Sequence, residues 1–253
     1  STVASREPDV LGTSIDGDSH RLWAIESGTF EMRQLAPLLA ESFYIADGHH
    51  RYETAVNYRD WRAASEVLGP SHPARFAMSA IVAASDPGLV IRPIHRMVPR
   101  EAPSDWMDRL GDAFAVAHVK LVRGEADAVA INLNPGQVHR LRRTGSPLRG
   151  SIPQGMSDEW AAIAPNVLRY GVLEPLWGIS DDDLRAGAVV YSHDCDEVLE
   201  FLDDNPHGVA FLLNPVSIES VISLADKGER MPQKSTFFHP KLGTGLVFNP
   251  LDA

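Results

Sequence analysis

The chain has 253 residues, 44% hydrophobic and 23% charged, a composition that suits one or two folded domains and excludes a disordered or fibrous chain. Its 34 acidic against 23 basic side chains give a formal charge of −11, which opposes the phosphate-backbone attraction behind DNA binding, so no nucleic-acid partner is expected. No apolar run approaches the roughly 18 residues needed to cross a bilayer, and the single cysteine, Cys195, cannot form an intramolecular disulfide; no membrane partner and a reducing cytoplasm are expected.

In chain order, residues 1–12, with Pro8 and Gly12, read as a connector. Residues 13–25 read as a strand pair around Ile15-Asp16-Gly17-Asp18, because Asp-Gly followed by the alternation His20, Leu22, Ala24 is a hairpin signal. Leu35, Leu38, Leu39 and Phe43 have helical spacing over 29–42. Phe43–Ala46 has strand character, Asp47-Gly48 is a turn signal, and a helix follows from about His49 through Trp61 to Val67, stopped by Gly69-Pro70. Phe76–Ala83 is an apolar run interrupted only by Ser79, as suits a central strand buried on both faces, and Leu89–Ile91 is a short partner leading to His95-Arg96.

After Pro99 and Pro103 the pattern restarts, which sets a domain boundary near residue 100. Trp106–Phe114 reads as helix. Phe114–Val122, Ala128–Asn132 and Gln137–Arg142 read as a meander with its turn at Asn134-Pro-Gly136. A helix is expected over 157–173, with Trp160, Ile163, Val167 and Tyr170 on one face. The last part alternates strand and helix: Ala188–Ser192, Glu197–Asp203, Val209–Leu213, Val216–Asp226 and Leu246–Phe248. The fold class is α+β, a mixed sheet with helices, divided into portions 13–99 and 100–253.

The junction at residues 43–59 carries the chemistry. His49, His50 and Arg51 fall in the first helical turn, where unbonded backbone N–H groups and the positive end of the helix favour an anion. Cations are themselves unfavourable there, so their presence points to a ligand, phosphate or carboxylate. Asp47 can cap the helix, hold a metal ion or orient a histidine. Glu53 is a second carboxylate for metal or base, or a first-turn acid that offsets the dipole. Lys234, Ser235 and Thr236 form a polar loop that can bind phosphate, although no P-loop can be laid on Gly228–Ser235 because Gln233 precedes Lys234. His95 and Arg96 end a strand and could return to a ligand cleft, or be a buried pair bonded to backbone. Asn214 could read a ligand or simply make the turn before Pro215.

The segment Ile45-Ala-Asp-Gly-His-His-Arg-Tyr-Glu-Thr-Ala55 resembles the hallmark of the family known as domain of unknown function 1015. Phe211-Leu-Leu-Asn-Pro215 and Gly228-Glu-Arg-Met-Pro-Gln-Lys-Ser-Thr-Phe-Phe-His-Pro-Lys241 match its second half. His20-Arg-Leu-Trp23, Asp86-Pro-Gly-Leu89 and Pro93-Ile-His-Arg96 agree as well. The resemblance implies a further N-terminal region, so a chain that begins at Ser1 without Met is expected to be a C-terminal fragment. It also makes Lys234, Ser235, Thr236 and Lys241 candidates.

Gly48-His-His-Arg-Tyr52 resembles, more distantly, the corresponding segment of the superfamily of ParB proteins, sulfiredoxin and free serine kinases, where this helix start binds nucleotide phosphates. That likeness implies a ParB/sulfiredoxin-like fold over 13–99, with Gly48, His50 and Arg51 as phosphate contacts and a nucleotide, ATP or ADP, with Mg²⁺. His49 stands where sulfiredoxin has its catalytic cysteine, which excludes sulfiredoxin chemistry. The expectation is a phosphate- or nucleotide-binding protein and a phosphotransferase on a small polar metabolite, a serine-like hydroxyl acceptor included. Asp47, His49 and Glu53 are then the catalytic candidates and Asp47 the metal ligand. Gly48, His50, Arg51, Lys234, Ser235 and Thr236 hold phosphate; His95, Arg96, Asn214 and Lys241 hold substrate. The alternatives are a noncatalytic sensor of nucleotide or phosphometabolite, and a metal-dependent hydrolase using Asp47, His49, His50, Glu53 and His95.

Overall fold

The computed structural model describes residues 3–14, 17–119, 128–131, 136–243 and 245–251, with backbone alone for 39 and 128–131. The chain forms two compact units, Ser1–Ala83 with Pro240–Ala253, and Ala84–His239.

The first unit opens with an antiparallel hairpin, β1 (Val10–Thr13) on β2 (Ser19–Leu22), Gly12 opposite His20. Gly17, at φ +87°, donates to the Ser14 carbonyl in the connecting turn; Ile15 and Asp16 lie outside the described residues. Helix α1 (Phe30–Leu35) begins at Thr29, whose hydroxyl accepts from the Met32 amide. It is shorter than the expected 29–42 because Pro37 brings no N–H to the next turn, and a 3₁₀ turn, Leu38–Ala40, replaces it. Helix α2 (His49–Ala63) starts at Gly48 as expected.

Two expected strands do not form. Phe43–Ala46 and Phe76–Ala83 are irregular and exposed, Phe76 by 58%. A strand needs a ladder partner and a face to bury, and this unit offers little of either: among its described residues only β1 and β2 pair, and only Ala74 is buried. Leu246–Phe248 likewise forms no strand. The C-terminal segment instead lies on the hairpin, so close that a Cβ on Gly12 would come within 2.9 Å of Leu246.

The second unit is built on a six-stranded sheet. Its elements before the sheet's midpoint are β3 (Val90–Arg92), β4 (His95–Val98), α3 (Trp106–Leu110), β5 (Phe114–His118), β6 (Ala128–Ile131) and β7 (Val138–Arg143). The rest are α4 (Asp158–Ala162), α5 (Ala164–Leu168), α6 (Glu174–Trp177), α7 (Asp181–Arg185), β8 (Val190–Ser192), α8 (Cys195–Asp204), β9 (Val209–Leu213), α9 (Ile218–Asp226) and β10 (Phe237–His239). The strand order is β5-β7-β6-β9-β4-β8, and β10 pairs separately with β3. The α+β class is as expected. Every strand pairing among the described residues is antiparallel, however, so the sheet is not mixed. Of the meander, Lys120–Val122, Asn132 and the turn residues Asn134 and Pro135 lie outside the described residues. The helix expected over 157–173 is broken: Ile163 is extended, Pro165 lies in the first turn of α5, and a π-helical turn, Arg169–Leu173, follows.

Strand alternation distributes the core. Val209, Phe211 and Leu213 of β9, with Val98, Leu141 and Phe114, meet Trp106, Leu168, Leu173 and Leu176 on one face. Ala210 and Met97 point to the other face, where Val198 of α8 covers them with Phe201 and Leu202. A third cluster joins Trp160, Tyr170, Leu224 and Phe238. Because successive residues of β4 face opposite ways, His95 and Arg96 enter different environments.

Candidate functional site

The junction at the start of α2 in the first unit is open to solvent. Gly48 sits at the N-cap of α2 with φ +84°, where a side chain would be strained. The first intrahelical bond runs from the Tyr52 amide to the Gly48 carbonyl at 3.0 Å, so the amides of His49, His50 and Arg51 precede it. Glycine has no side chain with which to cap them. The Arg51 guanidinium curls back over the helix start; a Cβ on Gly48 would stand 3.0 Å from its Nη2.

Asp47 links the cluster. Its Oδ1 accepts from the Gly48 amide at 2.8 Å, its Oδ2 accepts from Lys241 Nζ at 2.8 Å, and Arg51 Nη2 lies 3.8 Å away. The Lys241 hydrogen bond, first among several causes, holds the Asp47 carboxyl below the usual carboxylate range. Two cations and the positive helix end thus face one carboxylate. Arg51 remains 81% exposed along its side chain. Glu53 turns instead to His50, 3.5 Å from its Nδ1, and the Thr54 hydroxyl donates to the His50 carbonyl at 2.7 Å. His49 is exposed at the first position of the helix.

Each Asp47 oxygen thus accepts from an N–H donor. Among the described residues no group of three or more His, Cys, Asp or Glu side chains is placed to hold a metal ion. Of Asp47, His49, His50, Glu53 and His95, the first four belong to the first unit, where Glu53 meets His50, and His95 belongs to the second.

His95 belongs to the second unit and is 4% exposed. Its Nδ1 accepts from the Leu213 amide at 3.2 Å and its Nε2 faces Cys195 Sγ at 3.5 Å. Burial, then the neighbouring Arg96 charge, lowers its pKa. This is the buried, backbone-bonded alternative. Arg96 is as deeply buried: Nη1 donates to the Ile94 carbonyl at 2.6 Å and Nη2 to the Lys234 carbonyl at 3.0 Å, with the guanidinium 5.5 Å from the Tyr191 ring centre. Burial brings its pKa down to about 10. Ser235 is buried, its hydroxyl donating to Pro232 at 2.6 Å, while Lys234 is exposed and Asn214 lies exposed just beyond β9.

The fold thus gathers Asp47, Gly48, Arg51 and Lys241 in one unit, and Arg96, Lys234 and Ser235 in the other. Sequence reasoning did not find Tyr191 or Cys195 as partners of Arg96 and His95. Both lie far along the chain on β8 and at the start of α8, and no local pattern marks them.

Comparison with known proteins completes the picture. No curated protein matches the chain. Among solved structures, a conserved hypothetical protein from Pyrococcus furiosus is 14% identical with a TM-score of 0.38, over 76% of this chain and 68% of that one. A free serine kinase mutant in complex with ADP is 15% identical with a TM-score of 0.40, over 76% of this chain and 66% of that one; the same kinase appears in complex with AMP at a TM-score of 0.41. Residues 1–163, which include the whole Asp47–Arg51 junction, match the family described as protein of unknown function (DUF1015), and the chain belongs to that family.

Proposed function

We propose that the first unit binds a phosphate-type anion, the phosphoryl end of a nucleotide such as ATP or ADP or of a phosphorylated metabolite, at the start of α2. One observation carries this reading: the left-handed Gly48 leaves the His49, His50 and Arg51 amides uncapped, with the Arg51 guanidinium folded over them and Lys241 beside Asp47. A cation at a helix start is locally unfavourable by a few tenths to about 1 kcal/mol, and an incoming oxyanion reverses that sign.

Phosphoryl transfer to a small hydroxyl acceptor is the finer form of the reading, in which the same cations would neutralise the moving charge. Asp47 suits the role of anchor for Lys241 better than that of general base, because a carboxylate held in its ionised form is a weak base. The exposure of Arg51 and His50 favours binding without turnover, as in a sensor, since water is not kept from the site.

Thermal-shift titration with ADP, ATP with and without Mg²⁺, and pyrophosphate tests the binding. A ligand at a hundred times its Kd stabilises the native state by about 2.7 kcal/mol. Arg51→Ala should diminish the shift; an undiminished shift in that variant refutes the site. Radiolabelled ATP recovered intact supports a sensor, and label moved to serine or another hydroxyl compound supports a transferase.

A further inference from the structure

The second unit contains a strained cation that the reading above leaves unused. Among the described residues Lys234 is the only non-glycine with positive φ, +59°. Glycine or asparagine is the ordinary occupant of that conformation, since the lysine Cβ is crowded there. The turn around it is fixed on both sides. Its carbonyl accepts from Arg96 Nη2, and the adjacent Ser235 is 5% exposed with its hydroxyl bonded to Pro232. The Lys234 side chain itself is left exposed, two residues before the half-buried Thr236.

Arg96 adds a second anomaly. It is 4% exposed, its guanidinium donates to two carbonyls, and among the described residues no carboxylate pairs with it. Buried charges are ordinarily paired. Here a buried guanidinium without a counter-ion braces the turn that presents a second cation, in a chain of net charge −11.

We propose that this turn is a second anion site, separate from the helix start of α2: the Lys234 ammonium and Thr236 hydroxyl take a phosphate-type oxyanion, and Arg96 is the positioning residue that holds Lys234 in its left-handed conformation.

The test uses the full chain carrying Arg51→Ala, so that the α2 site is silent, titrated calorimetrically with pyrophosphate. Binding should persist in Arg51→Ala and be retained when Lys234→Arg is added. Adding Lys234→Asn, which tolerates the backbone conformation but lacks the charge, should weaken it at least tenfold. Lys234→Gly should raise the melting temperature of this unit by about 2–4 °C while losing the anion, because the strain is relieved with the ligand contact. Arg96→Lys keeps the charge but not the forked contact, and should weaken pyrophosphate several-fold; lower melting with unchanged affinity would overturn the positioning role. Undiminished binding by Lys234→Asn, or no binding at all once Arg51 is removed, would overturn the site. Malonate serves as the carboxylate probe, and a tenfold preference for it over pyrophosphate would overturn the phosphate assignment.

Discussion

Gly48→Ala is the substitution on which backbone and ligand arguments converge. At φ +84° an alanine costs about 1–2 kcal/mol of local stability. Its Cβ would also meet Arg51 Nη2 at 3.0 Å, and since that is the far end of a flexible side chain, the guanidinium moves and the backbone does not. A hydrogen bond from a charged donor is worth roughly 1.5–3 kcal/mol, and the 81% exposure of Arg51 holds it to the lower end, so displacement should weaken an oxyanion about tenfold. Hydrogen exchange of the α2 amides reads the stability change, and calorimetry with pyrophosphate reads the affinity. Gly17→Ala is the control: φ is +87° and nothing lies within 4 Å of its Cβ, so it carries the same backbone cost without touching the site. Equal loss of affinity in the two variants, or none in Gly48→Ala, would refute the reasoning.

Asp47→Asn should tighten pyrophosphate several-fold by removing a carboxylate beside Arg51 and Lys241, at a stability cost below about 1 kcal/mol for a half-exposed pair; calorimetry and urea melts check both. The folded pKa of Asp47 is depressed, so its stabilising contribution holds above the unfolded value of 3.8 and is lost as pH falls through the lower folded value. His95 and His139 are buried with depressed pKa values, so the unfolded chain takes up protons first, and stability should fall below pH 6.5 by at most about 1.4 kcal/mol per pH unit for each. Urea melts between pH 7 and 5 should show that slope, reduced in His95→Gln. Phe211→Ala, at a fully buried position stacked edge-on against Trp177, should cost about 3–5 kcal/mol in urea unfolding.

Local signals in the sequence located what local chemistry decides. The Asp-Gly turn and the helix beginning at His49 are where residues 47–49 place them, and the alternation from β8 through α9 follows the hydrophobic periodicity. Failures occurred where partners decide. Phe76–Ala83 has the composition of a buried strand, but composition does not supply a neighbour, and none pairs with it among the described residues. Helical periodicity runs on through Pro165, whereas its missing N–H favours a new start there. At the candidate site, Gly48 and Arg51 were legible from cations standing at a helix start. The Asp47–Lys241 pair spans 194 positions, and Lys241 was reachable only through family resemblance. Likewise the burial of His95 and Arg96 depends on α8, β9 and the Lys234 turn, which no spacing near residue 95 encodes.

If main-chain amides at the start of α2 receive an oxyanion, their own resonances must report it. Titration of pyrophosphate into ¹⁵N-labelled protein, followed by amide NMR, tests it most directly. Saturable shifts of the His49, His50 and Arg51 amide resonances are expected, and in Arg51→Ala they should be gone. Saturation of other resonances with these three unmoved would contradict it.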